Sequence, residues 1–256
     1  MFAPRSVVLG VELRSAWASL FKRRSDETVG VRLQSLFWEA RWGVARRIVK
    51  IPGVGRAFSF CSDRLFLRQF APDLRRLHDT LSSTEFADRY WVRAGMLLGW
   101  AREGGLIAHD RDADFALLAQ DVPRLLAAVP ALRMAGFHPI QQFHNNQGQL
   151  TEVTFRRGFA KYEFFVLEPH GDMFRYFVYG WPPDNLFEIE KQVPRQRFVT
   201  FEFLGRTWLR PEDTERELEF MYGDWRTPKR QWNYLHDGHN VVDRRPWTNP
   251  GTAWTD

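Results

Sequence analysis

An α/β fold built on a mixed sheet, or an α+β variant of it, is what this sequence predicts, and three observations carry the prediction. A short strand, Tyr90–Ala94, runs through Gly95 into a helical stretch, Met96–Glu103. A second strand, Asp110–Ala119, opens on acids and continues as an apolar run, Phe115–Ala119, and a helix, Asp121–Arg133, follows it. Three further alternating runs, Phe137–Phe143, Leu150–Arg156 and Tyr162–Leu167, are separated by the turn signals Asn145-Asn146, Gly148 and Gly158.

Taken in order, the chain begins with a basic segment. Residues 1–50 hold ten Lys/Arg against four Asp/Glu, an excess that accounts for the net charge of +5 of the 256-residue chain. Within it Ser35–Ile51 places Leu36, Ala40, Val44 and Ile48 at helical spacing, with Arg41, Arg46 and Arg47 on the remaining surface. Two readings follow: a helix lying on an anionic membrane through residues 1–55, or a helix packed on its own domain with a solvated basic face. Ile51-Pro-Gly-Val-Gly55 punctuates the chain as a linker. Division is expected near residue 60, into a basic helical segment (1–60) and a main domain (61–256). Ser62–Ser83 is helical on either side of Pro72, with Ser62 and Asp73 placed as caps and Leu74, Leu77 and Leu81 as its core stripe; His78 is expected to be solvated.

Leu125, Leu126, Val129 and Leu132 form the apolar side of the helix Asp121–Arg133, which Pro123 opens. Beyond Leu167, an aromatic strand is expected at Phe174–Tyr179, a hairpin at Phe198–Trp208 and a helix at Pro211–Tyr222. The Trp-rich tail after Gly223 reads as irregular chain wrapped on the core, and His236-Asp-Gly-His239 as a solvated turn.

Composition excludes several classes. Hydrophobic residues make up 44% and aromatics 15%, with 11 Trp, which favours a packed core over disorder. Cys61 is the single cysteine, so neither an internal disulfide nor a cysteine-rich zinc site can form within one chain; it reads as an apolar filler. No run of 18 uncharged apolar residues occurs, and Glu12 and Arg14 interrupt any signal-peptide core. A cytoplasmic protein, in one reading peripheral to the inner face of the membrane, is expected. The positive charge alone permits polyanionic partners, but nucleic acid is not expected.

The chemistry concentrates in Arg93–Leu118. Asp110, Asp112 and Asp114 alternate, so in an extended backbone their side chains leave one face and converge. Stacked carboxylates need a cation, and hard divalent metals bind through oxygen ligands. Gly95, Gly99 and Gly105 let backbone approach an anion, and Arg102 offers a planar fork for phosphate. An EF-hand loop, which also begins Asp-x-Asp-x-Asp, needs glycine at its sixth position, where this chain has Phe115. A polar turn whose aspartates satisfy backbone donors stays open as the plainer alternative. Glu163 adds a carboxylate to the face of Phe165 and Leu167. It either shares a metal with the aspartates or pairs with Lys161 or Arg156.

The stretch GMLLGWAREGGLIAHDRDAD resembles the signature of the LicD/fukutin family at Gly95, Leu97, Leu98, Gly99, Arg102, Gly105, Ile107, Asp110, Asp112 and Asp114. It departs at Met96, where the family carries Thr or Ser, at His109, where Trp is common, and at Arg111, which interrupts the acidic run. KYEFFVLEP (Lys161–Pro169) is similar to the family's later acidic strand. ELEFMYGDWRTPKRQWNY (Glu217–Tyr234) is similar to its Tyr-Gly-x-Trp-x-x-Pro signature, through Tyr222, Gly223, Trp225 and Pro228. Trp232, Asn240-Val241 and Trp247 follow as in fukutin.

The resemblance implies a nucleotidyltransferase-like fold. It also implies Mg2+- or Mn2+-dependent transfer of a phosphocholine- or ribitol-phosphate-like group from a CDP-linked donor to a glycan or glycolipid hydroxyl, with release of CMP. On that reading Asp112 and Asp114 hold metal, Asp110 is a shared or outer ligand, and Glu163 is a third ligand or the base. Gly95, Gly99, Arg102, Gly105, Lys161 and Trp225 lie on the substrate side. Two alternatives remain: a true nucleotidyltransferase attacking the α-phosphorus with the same acids, and a catalytically silent relative that binds glycan or protein.

Overall fold

The computed structural model describes residues 54–180, 186–229, 232–249 and 254. The chain divides into two compact units, Met1–Cys61 and Ser62–Asp256, and every strand among the described residues lies in the second. The basic segment, its amphipathic helix and the Cys61 side chain fall outside the described residues.

Helix α1 (Val54–Ser82) leads to β1 (Tyr90–Val92), α2 (Ala94–Glu103), β2 (Asp112–Leu118), a 3-10 turn (Ala119–Asp121) and α3 (Val122–Met134). Strands β3 (His138–His144), β4 (Leu150–Arg157), β5 (Ala160–His170), β6 (Met173–Gly180) and β7 (Phe187–Pro194) follow. The hairpin β8 (Phe198–Phe203)–β9 (Arg206–Pro211), helix α4 (Thr214–Tyr222) and β10 (Val241–Pro246) complete the order. The main sheet runs β1-β2-β5-β6-β7-β10, with β4 also on β5 and β3 outside β4. Among the described residues its one parallel pair is β2–β5, and the crossover that parallel strands require is supplied by α3, β3 and β4. The mixed sheet flanked by helices agrees with the predicted fold class.

The long strand β5 organises this sheet. Its first half lies between β2 and β4, while its end, Glu168–His170, pairs with β6. One face of the β2–β5 pair (Ala113, Phe115, Leu117; Tyr162, Phe164, Val166) is buried in the main apolar core with Leu74, Leu77 and Leu81 of α1 and Leu125 and Leu132 of α3. Phe115 stacks on Phe164 at 5.0 Å between ring centres. Because strand residues alternate, committing these six to the core commits Asp112, Asp114, Lys161 and Glu163 to the opposite face.

Several expectations are corrected. Helix α1 runs unbroken from Val54 through Pro72, so Val54 and Gly55 are helical rather than linker, and Ser62 and Asp73 are interior rather than caps. The reason is a single apolar stripe, Phe66, Phe70, Leu74, Leu77 and Leu81, spaced by four, four, three and four residues on both sides of the proline. Asp73 is buried and accepts from Arg157 Nε at 2.8 Å. His78 is not solvated: its Nε2 meets the Thr207 carbonyl at 2.9 Å and its ring packs edge-on against Trp208. Strands β7 and β10 escaped the sequence pattern. Glu188 and Lys191 are buried on β7, which erases apolar alternation, and β10 is held partly by Arg245 Nε on Glu188 at 2.6 Å. Among the described residues no helix is long and apolar enough to cross a membrane.

Candidate active site

Strand register assembles the site. The antiparallel β1–β2 pairing sets Val92 against Phe115, and one step on the Arg93 N–H donates to the Asp114 carbonyl at 3.1 Å. Across the parallel pair Asp114 faces Glu163 and Asp112 faces Lys161; across β4–β5, Glu163 faces Thr154 and Phe165 faces Glu152. Directly paired residues point to the same side of a sheet. One face therefore carries a row Arg93–Asp114–Glu163–Thr154, with Asp112 and Lys161 on one flank and Glu152 on the other.

Helix α2 closes the row from above. The Gly95 N–H donates to Asp114 Oδ2 at 3.0 Å, so the positive end of the helix meets this carboxylate. A Cβ built on Gly95 would lie 2.4 Å from Asp110 Oδ2 and 3.2 Å from Asp114 Oδ2, so glycine here is a condition for the acids to approach. Just before it, Ala94 takes φ 44°, a left-handed conformation costing a residue with a side chain about 1–2 kcal/mol. Local strain of this kind gathers at functional sites.

The structure thus brings together Asp110, Asp112, Asp114, Glu163, Lys161 and Gly95. Lys161 Nζ stands 3.5 Å from Glu163 Oε1, so the pairing considered as an alternative for Glu163 occurs within the acid cluster itself. Gly99 and Gly105 serve the turn that returns the chain to the acids: a Cβ on Gly99 would meet the Gly105 carbonyl at 2.6 Å, and Gly105 N–H donates back to Gly99. Arg102 sits in the last turn of α2 with its guanidinium on Glu103 at 2.8 Å. At 1.5 Å per residue it lies about 10 Å along the axis from Gly95. Trp225 is buried in the main apolar core, where its ring is packing. The 233–237 turn closes on itself, Asn233 N–H donating to Asp237 Oδ2.

Three members of the face were missed by sequence reasoning: Arg93, Glu152 and Thr154. Glu152 is buried and its Oε1 accepts from Thr154 Oγ1 at 2.9 Å. The signal was present in the alternation Thr151–Phe155, since Val153 and Phe155 face the core and Glu152 and Thr154 therefore face the other way.

Burial first, and mutual repulsion second, hold protons on these acids. Asp110 is pushed up to about 9 by burial and then by Asp112 and Asp114. Asp114 is raised well above the carboxylate range by burial, Asp112 and Glu163, against the opposing Gly95 amide. Burial, then Glu152 and Asp112, lift Glu163 to about 8; burial lifts Glu152 to about 7 against Thr154 and Lys161. In the unfolded chain such acids ionise near pH 4. From about pH 5 to 8 the folded form therefore holds more protons than the unfolded, and stability falls as pH rises. Above that, Lys191, held down to about 8 by burial, acts in the opposite direction. Thermal melts of chelator-treated protein should drop steadily from pH 5 to pH 8, and a flat profile would contradict this electrostatic picture.

The donor set is all oxygen, which suits Mg2+ or Mn2+ rather than a softer ion. Among the described residues no three Asp, Glu, His or Cys side chains converge closely enough to cage an ion.

Residues 87–208 match the family model LicD/FKTN/FKRP, nucleotidyltransferase domain. The match covers just under half of the chain and likens that stretch to the LicD family. It spans the Gly95 motif, the aspartates, Glu152 and Glu163, and ends before the Tyr222–Trp225 signature. An uncharacterized protein of Rickettsia typhi is 23% identical over 154 residues, 59% of this chain and 45% of that protein. The chain therefore spans less than half the length of this curated relative.

Proposed function

We propose that this LicD-type domain transfers a phospho-alcohol group, of the phosphocholine or ribitol-phosphate kind, from a CDP-linked donor to a hydroxyl of a glycan or glycolipid. The observation that carries the reading is the row of carboxylates on β2 and β5 facing the positive end of α2. Asp112, Asp114 and Glu163 would hold Mg2+ or Mn2+, with Asp110 at the edge, and the ion would neutralise phosphate charge at the reacting centre. The acceptor oxygen bonds to the distal phosphorus, the phosphoanhydride bond breaks, and CMP departs. The hydroxyl proton would pass to a carboxylate of the cluster, Glu152 or, where it is not a metal ligand, Glu163, both on this face. Lys161, next to Asp112, faces donor phosphate.

Incubating the full chain with a panel of CDP-linked donors, an acceptor glycan and Mg2+ or Mn2+ tests this. CMP should accumulate together with a phosphodiester on the acceptor. Transfer of the cytidylyl group instead, with release of the phospho-alcohol, would assign attack to the α-phosphorus; no turnover of any donor would favour a binding relative.

A further inference from the structure

Arg93 is a buried charge that the transferase reading leaves unused. Its side chain is 1% exposed, and none of Nε, Nη1 and Nη2 has a hydrogen-bond acceptor. A guanidinium carries five donors in a fixed fork, and burying them unanswered is costly. The flat of the group lies 4.0 Å from the Tyr176 ring centre and 5.2 Å from that of Phe165. Such stacking orients the fork and leaves its N–H groups free. Arg93 stands across the strand from Asp114, one residue ahead of α2, and its charge bears on both Asp114 and Glu217 without an ion pair to either. A second buried cation, Lys191, is near enough for Arg93 to repel it.

We infer that Arg93, beside the positive end of α2, is an anion-binding group that takes the oxygens of a phosphate or diphosphate brought to the carboxylate row. Its planar fork matches two phosphate oxygens at once. This places the phosphate contact on Arg93, whereas the sequence had pointed to Arg102. The turn Asn233–Asn240 is anchored on the neighbours of Arg93: Lys191 Nζ donates to the Tyr234 carbonyl at 2.7 Å, and Asn240 Nδ2 to Tyr176 Oη at 2.8 Å. Assigning the phosphate to a nucleotide-linked donor rests on the transferase reading; the anion site itself does not.

The test is calorimetric titration of the full chain with inorganic pyrophosphate, with and without Mg2+. Wild type should give saturable binding in at least one arm. Arg93→Met should weaken it roughly 30-fold or more, as truncation of one partner of a buried charge-assisted contact does. Arg197→Ala, which removes an exposed cation paired with Glu212, should leave it unchanged. Wild-type affinity in a folded Arg93→Met protein, or no saturable binding to wild type in either arm, would overturn the assignment. Should Arg93→Met fail to fold, Arg93→Lys decides: the charge without the fork is expected to bind about tenfold more weakly, and unchanged affinity refutes the proposal. Pyrophosphate binding with no CMP release from any donor keeps the anion site and removes the transferase reading. CMP release with undiminished affinity in Arg93→Met does the reverse.

Discussion

Asp114→Asn is expected to lower transfer by more than about 100-fold while leaving the fold in place. Losing even an outer-shell partner of a metal ligand costs about 10–100-fold, and this substitution removes the negative charge from the carboxylate at the centre of the row. Structurally little is asked of the replacement. Asparagine keeps the shape and a side-chain oxygen that can accept the Gly95 N–H, which lies 3.0 Å from Asp114 Oδ2. Burial and two neighbouring carboxylates already disfavour the ionised form in the folded chain. Neutralising the group should therefore shift stability by no more than about 1 kcal/mol, upward if at all. Melting curves with and without Mn2+, measured beside CMP release, separate the effects. Wild type should gain melting temperature with Mn2+, and the variant should lose both this gain and turnover. A variant that keeps both would show the aspartates to be a structural turn.

Gly95→Ala should separate activity from stability in a different way. Helix propensity alone favours alanine over glycine by up to about 1 kcal/mol in a helix interior. The new Cβ, however, would start 2.4 Å from Asp110 Oδ2, and such contacts are essentially never closer than 3.0 Å, so something must shift by at least 0.6 Å. The yielding group is Asp110, or else the helix start, which carries the amide bonded to Asp114. Misplacement by about 1 Å at a reacting centre costs on the order of 100-fold. The expected result is a melting temperature within a few degrees of wild type and a loss of turnover of that order. Full activity would mean that Asp110 moves freely and has no positional role.

The sequence by itself determined which residues share a face. Two-residue periodicity placed Asp112 and Asp114 together and set Glu163 opposite Phe164, because the strand pleat is a local property of the backbone; Asp110, which precedes β2, is brought in by the turn closed from its own N–H to the Ile107 carbonyl. It also placed a glycine between a short strand and a helix, where the structure has Gly95 against two carboxylates. Everything that depended on pairing between distant segments had to wait for the tertiary structure. Asp114 and Glu163 are neighbours through a parallel register spanning a helix and two strands, and the antiparallel pairings β1–β2 and β4–β5 add Arg93, Glu152 and Thr154 to the same face. Arg102, close to the aspartates along the chain, stands about two turns along α2 from Gly95 with its guanidinium on Glu103. Strand β7 was hidden because Glu188 and Lys191 are buried there by partners on β10 and the 233–240 turn, which local alternation cannot foresee. A side chain's own periodicity decides the direction it points; the strands laid beside it decide what it meets there.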